Sequence, residues 1–184
     1  MKVADFFCGA GGFSEGFRQN GFDIVFALDN WKPAIETHHL NHPKCNSVLM
    51  DILKLDSPEK IDKFIKGIII MTKGKSGALI STKKFFYQIP CFPSKVVDRT
   101  GAGDSFASGF LTGIYFLEKK YPNLFEKKIY WKNPEVLFEP IRFALANSTL
   151  VIENFGAKTG ILSYQKFKKM KRFKKLPIKI KKIK

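Results

Sequence analysis

The sequence predicts an α/β fold, a three-layer arrangement around a mostly parallel sheet, with an antiparallel hairpin around residues 78–89. Three observations predict it. Residues 1–67 alternate short apolar runs with helix-length segments and read βαβαβα, a pattern that favours parallel strands and right-handed crossovers. Two glycine turns, Gly9–Gly12 and Gly101–Gly103, each stand between an extended run and a helix start. Finally, Ala78–Thr82 and Phe85–Ile89 flank Lys83-Lys84, the pattern of two strands and a tight turn.

The elements follow in order. Val3–Phe7 is a strand that ends in the first glycine turn, and Ser14–Gln19 is the helix after it. Phe22–Leu28 is a second strand, ending at Asp29. Pro33–Leu40 is a second helix, closed by Asn41-His42-Pro43. Ser47–Met50 is a third strand, ending at Asp51. Ser57–Lys66 is a third helix, with Ser57 as cap, Pro58 at the first position and Glu59 in the first turn. Ile68–Met71 is a fourth strand, followed by a turn over Thr72–Gly77 and the hairpin. Val96-Val97 leads into the second glycine turn, and a long helix runs from Ser105 to Lys119. Pro122–Pro134 is a polar, aromatic connection, Pro140–Glu153 a further helix and Phe155–Gly160 a loop. Phe167, Met170 and Phe173 recur every three residues, which allows a short helix before Pro177. The alternation in Ile178–Lys181 is too short to interpret. Together these describe a Rossmann-like sheet.

Composition narrows the classes. The chain has 184 residues, 45% apolar and 26% charged, ordinary globular usage that rules out wholesale disorder. No apolar run is long enough for a membrane helix, so no membrane partner is expected, and the start does not read as a secretory signal. Cys8, Cys45 and Cys91 are too few and too scattered for a disulfide framework, which suits a cytoplasmic protein. The net charge is +16 and unevenly placed. Residues 1–67 carry 8 basic and 9 acidic residues, residues 68–165 carry 13 and 7, and residues 166–184 carry 11 and none. The basic tail reads either as a solvated, frayed end or as a weak nucleic-acid contact through phosphates.

A glycine turn between strand and helix lets a backbone approach a nucleotide-type ligand, and an acid ending the second strand suits ribose hydroxyls. Here the turn is embedded in Asp5-Phe6-Phe7-Cys8-Gly9-Ala10-Gly11-Gly12-Phe13-Ser14. It continues through Gly16-Phe17, Asn20-Gly21-Phe22, Ala27-Leu28-Asp29, Ala34, Thr37, Asn41-His42-Pro43 and Asp51-Ile52. Residues 1 to about 66 thereby resemble the N-terminal part of DNA cytosine-5 methyltransferases. The resemblance implies that Phe7, Gly9 and Gly11 wrap S-adenosylmethionine, that Asp29 holds its ribose, and that Asp51 and Ile52 lie near its adenine. The family also needs a Pro-Cys loop directly after the fourth strand, where this chain has Thr72-Lys73-Gly74. Pro90-Cys91-Phe92-Pro93 and Glu153-Asn154-Phe155 imitate the missing motifs, but a hairpin separates Cys91 from that strand. His38, His39, His42 and Cys45 have spacing that could attract zinc, but Pro43 ends that helix and no metal site is assigned.

The second turn lies in Asp98-Arg99-Thr100-Gly101-Ala102-Gly103-Asp104-Ser105-Phe106. Its free N–H groups suit a phosphate, and a carboxylate in the first helical turn can take a hydroxyl proton as phosphoryl transfer begins. This stretch resembles the second signature of PfkB (ribokinase-like) carbohydrate kinases. Ile69-Ile70-Met71-Thr72-Lys73-Gly74-Lys75-Ser76-Gly77-Ala78, Phe106–Phe110, Ala146-Asn147 and Phe155-Gly156-Ala157 extend the match over residues 68–165. The resemblance implies that Asp104 is the catalytic base and that Gly101, Ala102 and Gly103 form the anion hole. Thr72, Gly74 and Asn147 would surround ATP, which arrives with Mg. Arg99 replaces a small hydroxyl residue of the family pattern.

The chain therefore reads as a composite. Residues 1–67 form a methyltransferase-like cofactor half, 68–165 the C-terminal half of a PfkB-type kinase, and 166–184 the basic tail. The two resemblances abut near Lys66–Ile68, so one continuous sheet is expected across the joint. The family's sugar-binding half has no counterpart, so the expected activity is an impaired ATP-dependent phosphotransfer, with a small sugar as the acceptor left open. Two alternatives stay in view: a DNA cytosine-5 methyltransferase using S-adenosylmethionine, and a non-enzymatic nucleotide- or nucleic-acid-binding chain.

Overall fold

The computed structural model describes residues 2–55 and 67–183. The helix expected over Ser57–Lys66 lies outside the described residues. The architecture is mixed α/β, and the chain divides into two compact units, Met1–Ile69 and Ile70–Lys184. Among the described residues the strands do not form the continuous sheet that was expected. The described strands make one three-stranded sheet and one four-stranded sheet.

The first unit runs β1 (Lys2–Phe6), α1 (Gly12–Gln19), β2 (Asp23–Asp29), α2 (Lys32–Asn41) and β3 (Asn46–Leu49). The strands are parallel in the order β1-β2-β3, with Asp5 beside Ala27 and Leu28 beside Val48. Central β2 buries Phe26, Ala27 and Leu28. Helix α1 starts two residues earlier than expected because Gly11 takes the left-handed conformation that caps it, at φ 96°. It stops where Gly21, at φ 78°, lets Phe22 N–H return to the Phe17 carbonyl. Pro33 suits the first turn of α2.

A buried chain of hydrogen bonds ties these elements together. Ser14 Oγ donates to Asp5 Oδ2 at 2.7 Å. The same oxygen lies 3.1 Å from His38 Nε2, and His38 Nδ1 lies 2.9 Å from Ser47 Oγ. Since the Ser14 proton goes to Asp5, the ring donates from Nε2, and in its neutral form Nδ1 accepts from the Ser47 hydroxyl. Ser14 and His38 are fully buried. Burial, and after it the neighbouring His42 and His39, hold the imidazole below its ordinary pKa. The chain links β1, α1, α2 and β3, so each element is satisfied only in the presence of the others.

The second unit contains β4 (Ile69–Thr72), a 3-10 turn (Gly74–Ser76), β5 (Ala78–Ser81) and β6 (Phe85–Ile89). These are followed by α3 (Ala102–Lys120), α4 (Ile129–Lys132), α5 (Phe138–Ile152), α6 (Tyr164–Lys169) and β7 (Lys179–Lys182). The sheet order is β4-β5-β6-β7. The hairpin forms at the expected place, antiparallel, with Ile80 beside Tyr87. Its turn residue Lys83 has a positive φ of 69°. Val96 and Val97 stay outside any strand, and Val97 N–H bonds the Ile152 carbonyl instead.

Helices α3 and α5 pack at close range. A Cβ on Gly113 would stand 2.6 Å from Pro140 Cα, and one on Gly109 would stand 3.0 Å from Ala144 Cα. The two glycines, one turn apart on α3, leave room for the backbone of α5. The buried faces are continuous: Phe106, Phe110 and Ile114 on α3, and Ile141, Ala144 and Leu145 on α5.

The expected frayed tail is instead part of the fold. Phe167 and Phe173 join Phe143 and Ala146 in one buried cluster, and Leu176 is buried too. Strand β7 pairs antiparallel with β6, with Ile180 beside Tyr87. Lys168 pairs with Glu139 at 3.0 Å, and Arg172 pairs with Glu153 while lying over the Phe92 ring. Apolar burial overrides the charge run, because the lysines keep their ammonium heads outside.

Two measurements follow. Phe173→Ala should lower unfolding stability by about 3–5 kcal/mol in a urea titration, whereas a frayed tail would tolerate it unchanged. The His38 chain should make the first unit acid-sensitive. A histidine held neutral in the fold lets the unfolded chain bind the extra proton below its ordinary pKa near 6.5. Stability then falls as pH drops from about 7.5 to 5.5, by up to about 1.4 kcal/mol per unit. Burial raises the Asp5 pKa, and that group acts in the opposite sense. The protection factors of the amides at Gly11–Ser14, corrected for the intrinsic pH dependence of exchange, should fall over this interval in the native chain and much less in His38→Gln.

Candidate functional site

The second glycine turn is assembled by Asp98. Its Oδ1 accepts the Thr100 N–H at 2.9 Å and the Thr100 hydroxyl at 2.8 Å. Its Oδ2 accepts Gly156 N–H at 3.0 Å, which ties the turn to the loop after α5. These donors, Thr100 first, hold the Asp98 carboxyl below its ordinary pKa. Gly101 is left-handed, at φ 76°, and caps α3. A Cβ there would meet Ala157 at 2.8 Å, so only glycine fits between the turn and that loop. Asp104 stands exposed in the first turn of α3, because the helix begins at Ala102 rather than at Ser105.

Beside this turn lies a cleft of about 480 Å³. Thr72 and Gly74 line it, as do Ala102 and Gly103, so residues 30 positions apart in the sequence face one space. Phe92, Val96 and Phe106 give it apolar wall, while Lys75 and Arg99 bring charge. No Asp or Glu lines it. Asn147, expected near ATP, is buried in α5 instead. Its Oδ1 accepts Leu162 N–H at 2.8 Å, and its Nδ2 contacts the Phe143 carbonyl at 3.5 Å. The residue thus anchors the segment leading into α6. Cys91 lines the cleft and follows the hairpin, well removed in the chain from the end of β4. Lys75 and Arg99 were missed by residue-type reasoning. Lys75 carried no signal beyond a cation beside turn glycines, and Arg99 stood out only as a departure from the family pattern.

The first glycine turn is equally ordered. Phe7 and Gly9 have positive φ, 61° and 52°. Asp29 joins two loops: Oδ2 accepts Gly9 N–H and Oδ1 accepts Trp31 N–H, both at 3.0 Å. His42 Nε2 lies 3.2 Å from the Gly11 carbonyl, and Asn41 donates to the Ala10 carbonyl at 2.9 Å. Asp51 caps the 3-10 turn Ile52–Lys54 through Leu53 N–H at 2.9 Å, and Ile52 is half-buried. Phe7 and Trp31 are 67% and 65% exposed, beyond the carboxyl ends of β1 and β2, where parallel sheets place ligands. Open space lies over Gly9. The imidazoles of His38 and His42 thus already serve Ser14, Ser47 and the Gly11 carbonyl. Burial pushes the Cys8 thiol up to about 12, far from a reactive thiolate.

Known proteins match the chain in two parts. The model of the pfkB family of carbohydrate kinases matches residues 52–162, and that of the C-5 cytosine-specific DNA methylases matches residues 1–71. The two matches overlap over 52–71 rather than abutting, so the strand at the joint fits both families. A nucleoside kinase of Methanocaldococcus jannaschii is 44% identical over 66 residues, covering 33% of this chain and 22% of the relative. The type II methyltransferase M.HgiGI of Herpetosiphon aurantiacus is 46% identical over 69 residues, covering 33% of this chain and 55% of the relative. The ribokinase of Giardia lamblia shares the fold with a TM-score of 0.52 at 16% identity, over 80% of this chain and 42% of that one. The chain thus spans a minor or middling part of each relative's length. Since the kinase match takes in more than half of its residues, the protein belongs to the pfkB family of carbohydrate kinases, with an N-terminal segment similar to C-5 cytosine-specific DNA methylases.

Proposed function

We propose that the chain binds a nucleoside triphosphate, ATP with Mg, in the cleft of the second unit and supports weak phosphotransfer at Asp104. One observation carries the reading: the start of α3, with Ala102 and Gly103, and the turn of Thr72 and Gly74 face a single cleft lined by cations, with Asp104 the next residue along the helix, outside that lining. Helix-start N–H groups and cations stabilise the charge on a transferring phosphoryl group. Exposed Asp104 is free to take the proton of an incoming hydroxyl. A small sugar is the acceptor class that the family suggests. The matched segment resembles only the C-terminal half of such kinases, so acceptor binding is weak and water competes as acceptor. Mg arrives on the nucleotide's phosphates as part of the substrate.

A second ligand is supported by the first unit. The open Gly9 turn, tied to Asp29 and flanked by exposed Phe7 and Trp31, fits the adenosyl part of S-adenosylmethionine. Methyl transfer to DNA through Cys91 is not supported, because that cysteine lines the nucleotide cleft of the second unit. A polyanion contact through residues 166–184 would use exposed lysines on a folded surface rather than a free arm.

Phosphate release from radiolabelled ATP, with and without a panel of small sugars, tests the reading. The native chain should show slow, Mg-dependent turnover. Asp104→Asn should lower it by at least about a hundredfold, with unfolding unchanged. Equal turnover in the two would overturn the assignment of Asp104.

A further inference from the structure

Arg99 occupies an unusual position. It sits between Asp98 and Thr100 in the turn that opens α3, it is exposed, and it is one of the residues lining the cleft. Its neighbouring carboxylate is not available to it. Both Asp98 oxygens are engaged by Thr100 and Gly156, so they hold the loops rather than the guanidinium. No acid lines the cleft, and none of the ion pairs among the described residues involves Arg99. Lys75, from the 3-10 turn Gly74–Ser76, faces the same space and is likewise outside those pairs. Two unneutralised cations around about 480 Å³ repel one another, and a multivalent anion between them removes that cost. A guanidinium also offers a planar fork of donors that can engage two phosphate oxygens at once.

We propose that Arg99 and Lys75 form a clamp for the terminal phosphates of the bound nucleotide, so that the cleft selects by phosphate number rather than by the nucleoside. The clamp rests on the nucleotide-binding reading above and adds to it the residue that sets specificity. Asp98 is its positioning residue, holding the turn from which Arg99 projects. The anion hole at Ala102 and Gly103 offers backbone donors to any phosphate. Arg99 adds a charge whose worth grows with the charge of the ligand.

Cys91 supplies a local reporter. It is half-buried and lines this cleft, while Cys8 and Cys45 are buried in the first unit. The full-length chain is treated with iodoacetamide, and alkylation of Cys91 is followed by peptide mass spectrometry. Protection is titrated with ATP, ADP, AMP, adenosine and inorganic triphosphate, all with Mg. The native chain should be protected in the order ATP, ADP, AMP, with inorganic triphosphate competing. Arg99→Ala should raise the ATP concentration for half-protection about tenfold and leave that for AMP or adenosine nearly unchanged. Arg99→Lys should fall between, and Lys75→Ala should act in the same direction. Ligand-free unfolding of each variant, expected to match the native chain, controls for damage. Protection of Arg99→Ala at the native ATP concentration would overturn the clamp and leave nucleotide binding standing. Equal loss for ATP and adenosine would overturn selection by phosphate number. Failure of every nucleotide to protect the native chain would overturn both.

Discussion

The second unit depends on how closely α3 can approach α5. Gly109 and Gly113 leave no side chain between the helices, and Pro140 and Ala144 fill the contact. Any Cβ at Gly113 would have to displace backbone, so the spacing of the two helices is set by sequence rather than by adjustable side chains. That spacing fixes the axis of α3 and therefore the place of its first turn. Gly101 then presses on Ala157, and Asp98 ties the same turn to Gly156. The functional end of the helix is thus held at its core by packing and at its tip by hydrogen bonds. Chemistry that relies on fixed dipoles needs this rigidity, because the donors must already point at the charge they stabilise.

The same economy shapes the tail. Eleven basic residues in the last 19 would ordinarily favour a disordered arm. Here Phe167, Phe173 and Leu176 recur among them and are buried, and Ile180 lies beside Tyr87 in the sheet. The apolar positions hold the backbone down while the long charged side chains reach water. Two of those charges also return to the fold, Lys168 to Glu139 and Arg172 to Glu153. The charge is therefore presented on a formed surface.

Much of the fold was legible in the sequence, for identifiable reasons. Glycine turns with flanking apolar runs located β1, α1 and α3, since left-handed positions at Gly11 and Gly101 leave few residue choices. The hairpin was legible because two short apolar runs, Ala78–Thr82 and Phe85–Ile89, flank the polar pair Lys83-Lys84. Strand β7 was not, since four residues with three lysines carry almost no periodic signal and form a strand only because β6 offers an edge. The division into two sheets was not legible either, because strand pairing is a long-range choice that local pattern does not encode. At the site, Thr72, Gly74, Ala102 and Gly103 fall around one cleft. Asn147 is not among the residues lining that cleft, and its Oδ1 accepts Leu162 N–H, a contact the sequence does not announce. Arg99 stood out only as a departure from a family pattern, and its significance needed the missing counter-charge to be seen in three dimensions.

The central claim is that the cleft of the second unit is a working nucleotide site in a chain that joins pieces resembling two enzyme families. A thermal-shift titration of the purified chain with Mg-ATP, run beside one with S-adenosylmethionine, tests it most directly, because a ligand that binds only the folded state raises the unfolding temperature. The account predicts a saturable rise with Mg-ATP, whether or not S-adenosylmethionine adds its own. A cooperative transition that Mg-ATP leaves unmoved at millimolar concentration would contradict it.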